Sequence, residues 1–456
     1  MQQADGLPMP QRLGAICAIA LGVTMAVLDG MIANVALPTI ADDLGTSAAN
    51  SIWIVNAYQL VITMSLLSLA SLGDLWSYRK VYLIGLSVFA SMSVLCALSD
   101  SLVTLTLARM LQGLGAAAVM SVNGALTRLI YPSHLLGRGV AINTLIVAVA
   151  AAAGPTVAAG VLAVADWPWL FAINLPFGVL ALVMGYRFLP ANEGSRAQRF
   201  DKGSALLNAV TFGLFFVALT GFAQGHAGWS IGFPLVGALL VGWFFVRRQL
   251  DQPLPLLPVD LLRIPIFSLS IATSVCSFIA QMMAMVSIPF YFQKTLGLSA
   301  IETGLLMTPW PLATMVMAPI AGRLLDRLHA GLLGGVGLTI FASGLFLLAA
   351  LPQQASHLEI MLRMLICGAG FGLFQSPNNH TILTAAPMQR SGGASGMLST
   401  ARLVGQTTGA ALVALAFNLF SDNGTHASLI AAGSFAAVAA IVSTLRLSQS
   451  AARPGG

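Results

Sequence analysis

Long apolar stretches, broken by short polar or Gly/Pro segments, organise this chain of 456 residues. Windows of about 20 apolar residues, the number a helix needs to cross roughly 30 Å of hydrocarbon, recur from Leu13 almost to the C-terminus. Cutting at the breaks predicts fourteen spans, near 13–38, 50–73, 80–98, 102–125, 138–163, 168–187, 204–222, 229–247, 265–292, 300–323, 330–351, 358–380, 393–418 and 425–446. The period-two alternation of a membrane barrel is missing, so helices must satisfy the backbone. The run from Leu13 is too long for a signal-peptide core and carries straight into TIADDLG, so it reads as the first span.

Composition agrees with that pattern. Only 8% of residues are charged and the mean hydropathy is +0.87, whereas a soluble domain carries about a quarter charged residues. A net charge of +6 raises the question of a nucleic-acid partner, and the position of the basic residues decides against it. With both termini inside, about 17 of the 21 lysines and arginines fall in cytoplasmic loops or tails. Arg109, Arg363 and Arg402 then lie within spans, and Lys294 alone faces out. Cys17, Cys96, Cys276 and Cys367 sit far apart in apolar segments and read as small buried residues without disulfides or metal.

Two basic linkers, RFLPANEGSRAQRFDKGS (187–204) and RRQLDQPLPLLPVDLLRIP (247–265), bracket one helix pair and leave six spans on either side. Duplicated halves are a common carrier plan. Two landmarks support it here: Arg109-Met110-Leu111 in the fourth span matches Arg363-Met364-Leu365 in the twelfth, and ASLGD ending at Asp74 matches GRLLD ending at Asp326. The expected architecture is all-α and integral to the membrane: a six-helix bundle over 1–190, a linker and extra central helix pair over 191–250, and a second six-helix bundle over 251–456.

Several motifs carry a family resemblance over nearly the whole chain. LDGMIANVALPTI (28–40), WIVNAYQL (53–60), LARMLQGLG (107–115) and WPWLFAINLPFG (167–178) resemble the signatures of the major facilitator superfamily, specifically its fourteen-span drug:proton antiporter branch. The resemblance implies the major facilitator fold, alternating access and a bacterial inner-membrane location. It also implies that the inner loops at Asp74, Arg79 and Lys80, and at Asp326 and Arg327, act as a cytoplasmic gate; plain positive-inside anchoring is the alternative. The first loop departs from the family's D-R-x-G-R-K by keeping the acid and two basic residues only. AAAAGPTVAAG (150–160) resembles the antiporter motif, with Gly154 and Pro155 retained as a helix bend and several glycines replaced by alanine.

Buried charge is where chemistry is expected, because a charge at mid-membrane costs about 2.5–3.5 kcal/mol even on insertion scales. Asp29 is the lone carboxylate deep within a span. Counted along the helices, it lies roughly 13 Å and Arg109 roughly 10 Å from the outer face. If both line one cavity, as the resemblance implies, they can pair, and a change of distance or wetting would load and release a proton. A packing hydrogen bond for Asp29 and an anchoring role for Arg109 are the alternatives. Arg363, with no deep acid in its half, reads equally as an inherited or snorkelling arginine. Polar and soft side chains on spans, namely Asn34, Asn56, Tyr58, Gln59, Gln112, Asn123, Gln281, Met282, Met285, Trp310, Gln375, Asn378, Asn379 and Arg402, are candidates for a substrate cavity, with lipid-facing or packing placement as the alternative for each.

No phosphate loop, HExxH or nucleophilic triad is legible, so neither an enzyme nor a nucleotide-driven pump is expected. The expected function is a proton-coupled exporter of lipophilic small molecules, such as drugs, dyes or quaternary ammonium compounds. It would be powered by the proton gradient without a cofactor, would act as a monomer in the bilayer and would have no nucleic-acid partner. The alternatives are a narrow-specificity metabolite or organic-anion carrier of the same fold, and a non-transporting receptor or scaffold.

Overall fold

The computed structural model describes residues 6–132, 135–191, 201–223, 228–250, 252, 258–325, 327–352, 354–386, 391–420 and 423–451. Long helices follow one another without a strand among these residues. They are α1 (Met9–Asp43), α2 (Trp53–Leu75), α3 (Tyr78–Ala97), α4 (Leu102–Ile130), α5 (Leu136–Leu162) and α6 (Asn174–Phe188), then α7 (Lys202–Ala223) and α8 (Gly228–Leu250). After them come α9 (Pro265–Phe290), α10 (Pro309–Leu325), α11 (Ala330–Ala349), α12 (His357–Ala385), α13 (Ser391–Leu419) and α14 (Gly424–Ala451). Thirteen helices among the described residues are long and apolar enough to cross a membrane. Helix α13 is not one of the thirteen; it has 29 residues but carries Arg402, Gln406, Thr407 and Thr408 among its apolar positions.

Short polar turns set where helices begin. Ser101 and Thr104 form a reciprocal capping box at α4, Ser77 accepts from the Lys80 amide at α3, and Ser356 accepts from the Glu359 amide at α12, each satisfying an amide the helix leaves free. Pro265 opens α9 at a position where its missing N–H is not needed. Helices α4 and α12 run on to Ile130 and Ala385, past the ends expected at 125 and 380. Hydropathy registers only the lipid-depth part of a helix, so the polar last turns escaped it.

The chain divides into two compact units, Met1–Thr46 with Trp53–Val210, and Ser47–Ile52 with Thr211–Gly456; the division falls inside α7. Within the first unit α3 packs on α4, α2 on α4, α1 on α5 and α6, and α3 on α6. Within the second, α11 packs on α12, α10 on α12, α9 on α13 and α14, and α11 on α14. The same pairings recur in the same order, as a duplicated sequence requires.

Glycines fix the register of this repeat, because they let helix backbones touch. A Cβ at Gly115 would lie 2.5 Å from the Phe89 amide nitrogen and 2.7 Å from the Gly85 carbonyl oxygen; a Cβ at Gly370 would lie 2.4 Å from the Phe341 nitrogen and 2.6 Å from the Gly337 oxygen. Gly113 backs onto the Tyr58 backbone as Gly368 does onto that of Trp310. Gly154 meets the Met31 Cβ as Gly409 meets that of Met282. Each of these three contacts in one unit thus has a partner in the other.

Of the cysteines, Cys96 and Cys367 are buried as expected, but Cys17 is exposed on α1; all four are free thiols. A small residue is tolerated on either face of a helix, so residue type alone does not orient it.

Replacing Gly115 or Gly370 by Leu is expected to destabilise the protein by roughly 1–3 kcal/mol through forced separation of two backbones. Gly160, where an added Cβ would meet nothing within 4 Å, should accept Leu with little change. Thermal unfolding of the purified protein in detergent checks both.

Candidate functional site

Asp29 of α1 and Arg109 of α4 form an ion pair inside the first unit, with relative exposures of 1% and 0%. Arg109 Nη1 donates to Asp29 Oδ2. The other carboxylate oxygen, Oδ1, accepts from Gln112 Nε2 at 3.0 Å and from Asn174 Nδ2 at 2.9 Å. Three donors face the acid, which suits an ionised, acceptor-only carboxylate. Gln112 is one helical turn from Arg109, so both point the same way from α4, and its Oε1 takes a second bond from Arg109 Nη1 at 2.6 Å.

An outer ring of contacts holds these groups in place. Gln112 Nε2 also donates to Ser93 Oγ on α3 at 2.8 Å, and Arg109 Nε donates to the Ile54 carbonyl on α2 at 3.3 Å. Arg109 Nη2 has no hydrogen-bond acceptor; the guanidinium lies instead over the Tyr58 ring, 4.1 Å from its centroid, and 5.4 Å from that of Phe171. An aromatic face stabilises a desolvated cation where an oxygen is missing. Tyr58 is itself fixed by its hydroxyl, which donates to the Ala26 carbonyl at 3.1 Å. Helices α1, α2, α3, α4 and α6 all contribute to one charge-neutral cluster.

The glycine register shows what the other unit holds in the same place. The step that takes Gly113 and Gly115 to Gly368 and Gly370 takes Arg109 to Met364, and the step that takes Met31 to Met282 takes Asp29 to Ala280. Met364 and Ala280 are both fully buried. The repeated Arg-Met-Leu phrase is therefore one residue out of structural register, and the alignment of Arg363 with Arg109 is corrected. One residue on a helix is about 100° of rotation, enough to turn Arg363 out of the core. It binds Glu359 one turn away and the Leu347 carbonyl.

A buried arginine that the charge tally placed outside the spans belongs to the second unit. Arg446, near the end of α14, is 1% exposed. Its Nη1 donates to Asn378 Oδ1 at 2.7 Å and to Ser270 Oγ at 3.1 Å, its Nε to the Ser443 carbonyl at 3.3 Å, and its Nη2 to Ser443 Oγ. Asn378, expected in a cavity, is thereby part of a packed cluster and also donates to Ser274 Oγ at 2.7 Å. Sequence reasoning missed Arg446, because an arginine at the end of an apolar run looks like ordinary positive-inside charge.

The remaining candidates scatter. Asn34 and Asn56 are buried in the first unit with amide oxygens that find no donor, and Gln59 is half-buried. Asn123 donates to Asn143 at 3.1 Å. In the second unit Met282 and Met285 are buried, and Trp310 packs edge-on against Phe341, with centroids 5.4 Å apart. Gln281, Gln375, Asn379 and Arg402 are half-buried. At the first inner loop, Asp74 accepts from the Tyr78 hydroxyl at 2.6 Å, whereas Arg79 reaches the Tyr186 carbonyl on α6 and the Lys80 amide donates to the capping Ser77 hydroxyl. Arg327 is exposed, and Asp326 lies outside the described residues. Gly154, beside Pro155 within α5, backs onto Met31 of α1, two residues along from Asp29.

These features meet the comparisons with known proteins. The family model of the Major Facilitator Superfamily matches residues 19–410 and, again, 271–455, and the chain belongs to that superfamily of membrane carriers. It is 64% identical over 453 residues, 99% of each chain, to the uncharacterized transporter YebQ of Escherichia coli strain K12. It is 32% identical to the multidrug resistance protein Stp of Mycobacterium tuberculosis, over 88% of this chain and 75% of that one. Among solved structures, a POT family transporter superposes with a TM-score of 0.73 at 15% identity, covering 97% of this chain and 96% of its own. The protein is therefore a multi-pass membrane carrier of the major facilitator fold.

Removing one partner of a buried ion pair is expected to cost roughly 3–5 kcal/mol, because the other charge is stranded. Asp29→Ala should show that loss. Combining Asp29→Ala with Arg109→Met, which copies Ala280 and Met364, should recover most of it. Thermal unfolding of both single variants and the double variant decides; a double loss equal to the sum of the two single losses would mean that the pair is not energetically coupled.

Proposed function

We propose that the protein is a proton-coupled exporter of lipophilic small molecules, working by alternating access, with Asp29 as the proton carrier and Arg109 as the fixed charge that governs it. The observation that carries this reading is the neutral cluster around Asp29: a lone deep carboxylate held by three donors from two other helices. Relatives such as Stp, a multidrug resistance protein, support the substrate class.

The chemistry follows from the contacts. In the closed cluster the carboxylate faces donors only and is sealed from water, so a proton arrives only if the helices carrying those donors move. Protonation removes the charge that pairs with Arg109 and turns one carboxylate oxygen into a donor, which clashes with the amide hydrogens of Gln112 or Asn174. The acid then separates from the cluster, and reopening toward the other side returns the proton. Arginine suits the fixed role because it stays charged throughout. Gly154 places the α1–α5 crossing beside this acid, so bending at Gly154-Pro155 moves Asp29 against α4. A proton crossing a driving force of about 150 mV supplies about 3.5 kcal/mol, enough for a gradient of a few hundredfold.

In this reading the chain spans the bacterial inner membrane fourteen times with both termini in the cytoplasm, α13 being the fourteenth span. Helices α1–α6 and α9–α14 form the repeated bundles, with α7 and α8 inserted between them in sequence. The inner loop from Asp74 to Lys80 gates the cytoplasmic side through Arg79 and the end of α6.

Asp29→Asn is expected to abolish substrate-driven proton movement in proteoliposomes while the protein still inserts. Arg109→Lys, which keeps the charge but loses the fork, should reduce coupling at least tenfold. Undiminished pH change in Asp29→Asn would remove the acid from the mechanism.

A further inference from the structure

Three arginines within the helices differ in how their charge is met. Arg109 is neutralised by Asp29, and Arg446 has hydrogen-bond acceptors for every nitrogen. Arg402 has neither. Its Nε is buried without an acceptor, and it makes no ion pair or hydrogen bond among the described residues. It sits in the middle of α13, more than ten residues from Ser391 and from Leu419, too deep to be explained as a snorkelling helix-end residue.

Three further polar side chains accompany it on helices that pack together. Gln406 lies one turn along α13 on the same face, Gln281 is on α9 and Gln375 on α12; α9, α12 and α13 are mutual neighbours. All three are half-buried, and none makes a hydrogen bond or ion pair among the described residues. Measured from the inner helix ends, Arg402 and Gln375 lie at roughly 15 Å and Gln406 and Gln281 at roughly 23 Å, all at mid-membrane depth. This is unlike the polar groups of the Arg446 cluster, which saturate one another.

The repeat shows that these residues are not a shared legacy of duplication. By the glycine register, Arg402, Gln406, Gln281 and Gln375 stand where the first unit has Val147, Ala151, Gly30 and Met120. A guanidinium at mid-membrane depth without a counter-charge is costly unless an anion joins it, and its forked donors match a carboxylate or sulfonate. Amide side chains one turn away complement the polar atoms of such a ligand.

We infer that Arg402 is the charge-recognition residue of a substrate site on the second unit, and that the transported molecules are amphipaths bearing an acidic group, not quaternary ammonium cations. This rests on the reading of the protein as a carrier but not on its proton coupling.

Fluorescence anisotropy of the purified full chain in nanodiscs, without any gradient, tests it with two probes: an anionic carboxylated xanthene dye and a cationic xanthene dye of similar size that lacks a free carboxylate. The wild type is expected to bind the anion roughly tenfold or more tightly than the cation, Arg402→Gln to lose that preference, and Arg363→Gln to keep it. Gln406→Glu, which supplies an internal counter-charge one turn away, should weaken the anion, favour the cation and raise the thermal midpoint; it serves if Arg402→Gln does not fold. Tighter binding of the cation by the wild type, no binding of either dye, or unchanged preference in Arg402→Gln or Gln406→Glu overturns the inference. An Asp29→Asn protein that keeps the anion preference yet still couples protons would refute the proposed proton carrier while leaving this assignment intact.

Discussion

An acid and an arginine that no water reaches can coexist only by holding each other, and this requirement shapes the first unit. Asp29 and Arg109 reach 1% and 0% exposure because five helices bring donors, an acceptor and the Tyr58 ring to them, and Phe171, just before α6, adds a second ring. Gln112 bridges the pair, Ser93 holds Gln112, Asn174 holds the free carboxylate oxygen, and Tyr58 and Phe171 cover the guanidinium. The carboxylate is fully satisfied while the cluster is closed. Its dependence on one ionisation state also makes it a natural two-state element, since adding a single proton turns a matched donor set into a mismatched one.

Duplication gives this arrangement an internal reference. The second unit repeats the helix pairings and the glycine contacts down to individual positions, with Gly115 and Gly370 each against a neighbouring phenylalanine amide. At the place of the ion pair it has Ala280 and Met364. Apolar side chains therefore fill that place in an otherwise matching set of helix contacts. That contrast is the strongest physical argument for a working role, because replacing a buried pair by well-packed apolar residues is often neutral or stabilising.

Much of this was legible in the sequence, and for identifiable reasons. Apolar windows of membrane length are long-range averages, so helix existence survived small errors, while ends such as Ile130 and Ala385 did not. Asp29 and Arg109 stood out because charge in an apolar run is costly, and counting residues along two helices placed them at similar depth. Gln112 entered only as one polar residue among many; its bridging role needed three helices in position. The register of the repeat failed by one residue at Arg363, because matching letters weigh a shared Arg-Met-Leu above the glycine contacts that set helix rotation. Arg446 was hidden by its place at the end of a span, and Asn174 by lying in a segment read for its motif.

The account stands on Asp29 gaining and losing a proton in the course of transport. Infrared difference spectroscopy of the protein in lipid, recorded as substrate is added at constant pH, reads that carboxyl directly. A protonated-carboxyl stretch that changes on substrate addition in the wild type and is absent from Asp29→Asn is the expected result. A carboxylate that stays ionised with and without substrate, across the range of pH in which transport occurs, would contradict it.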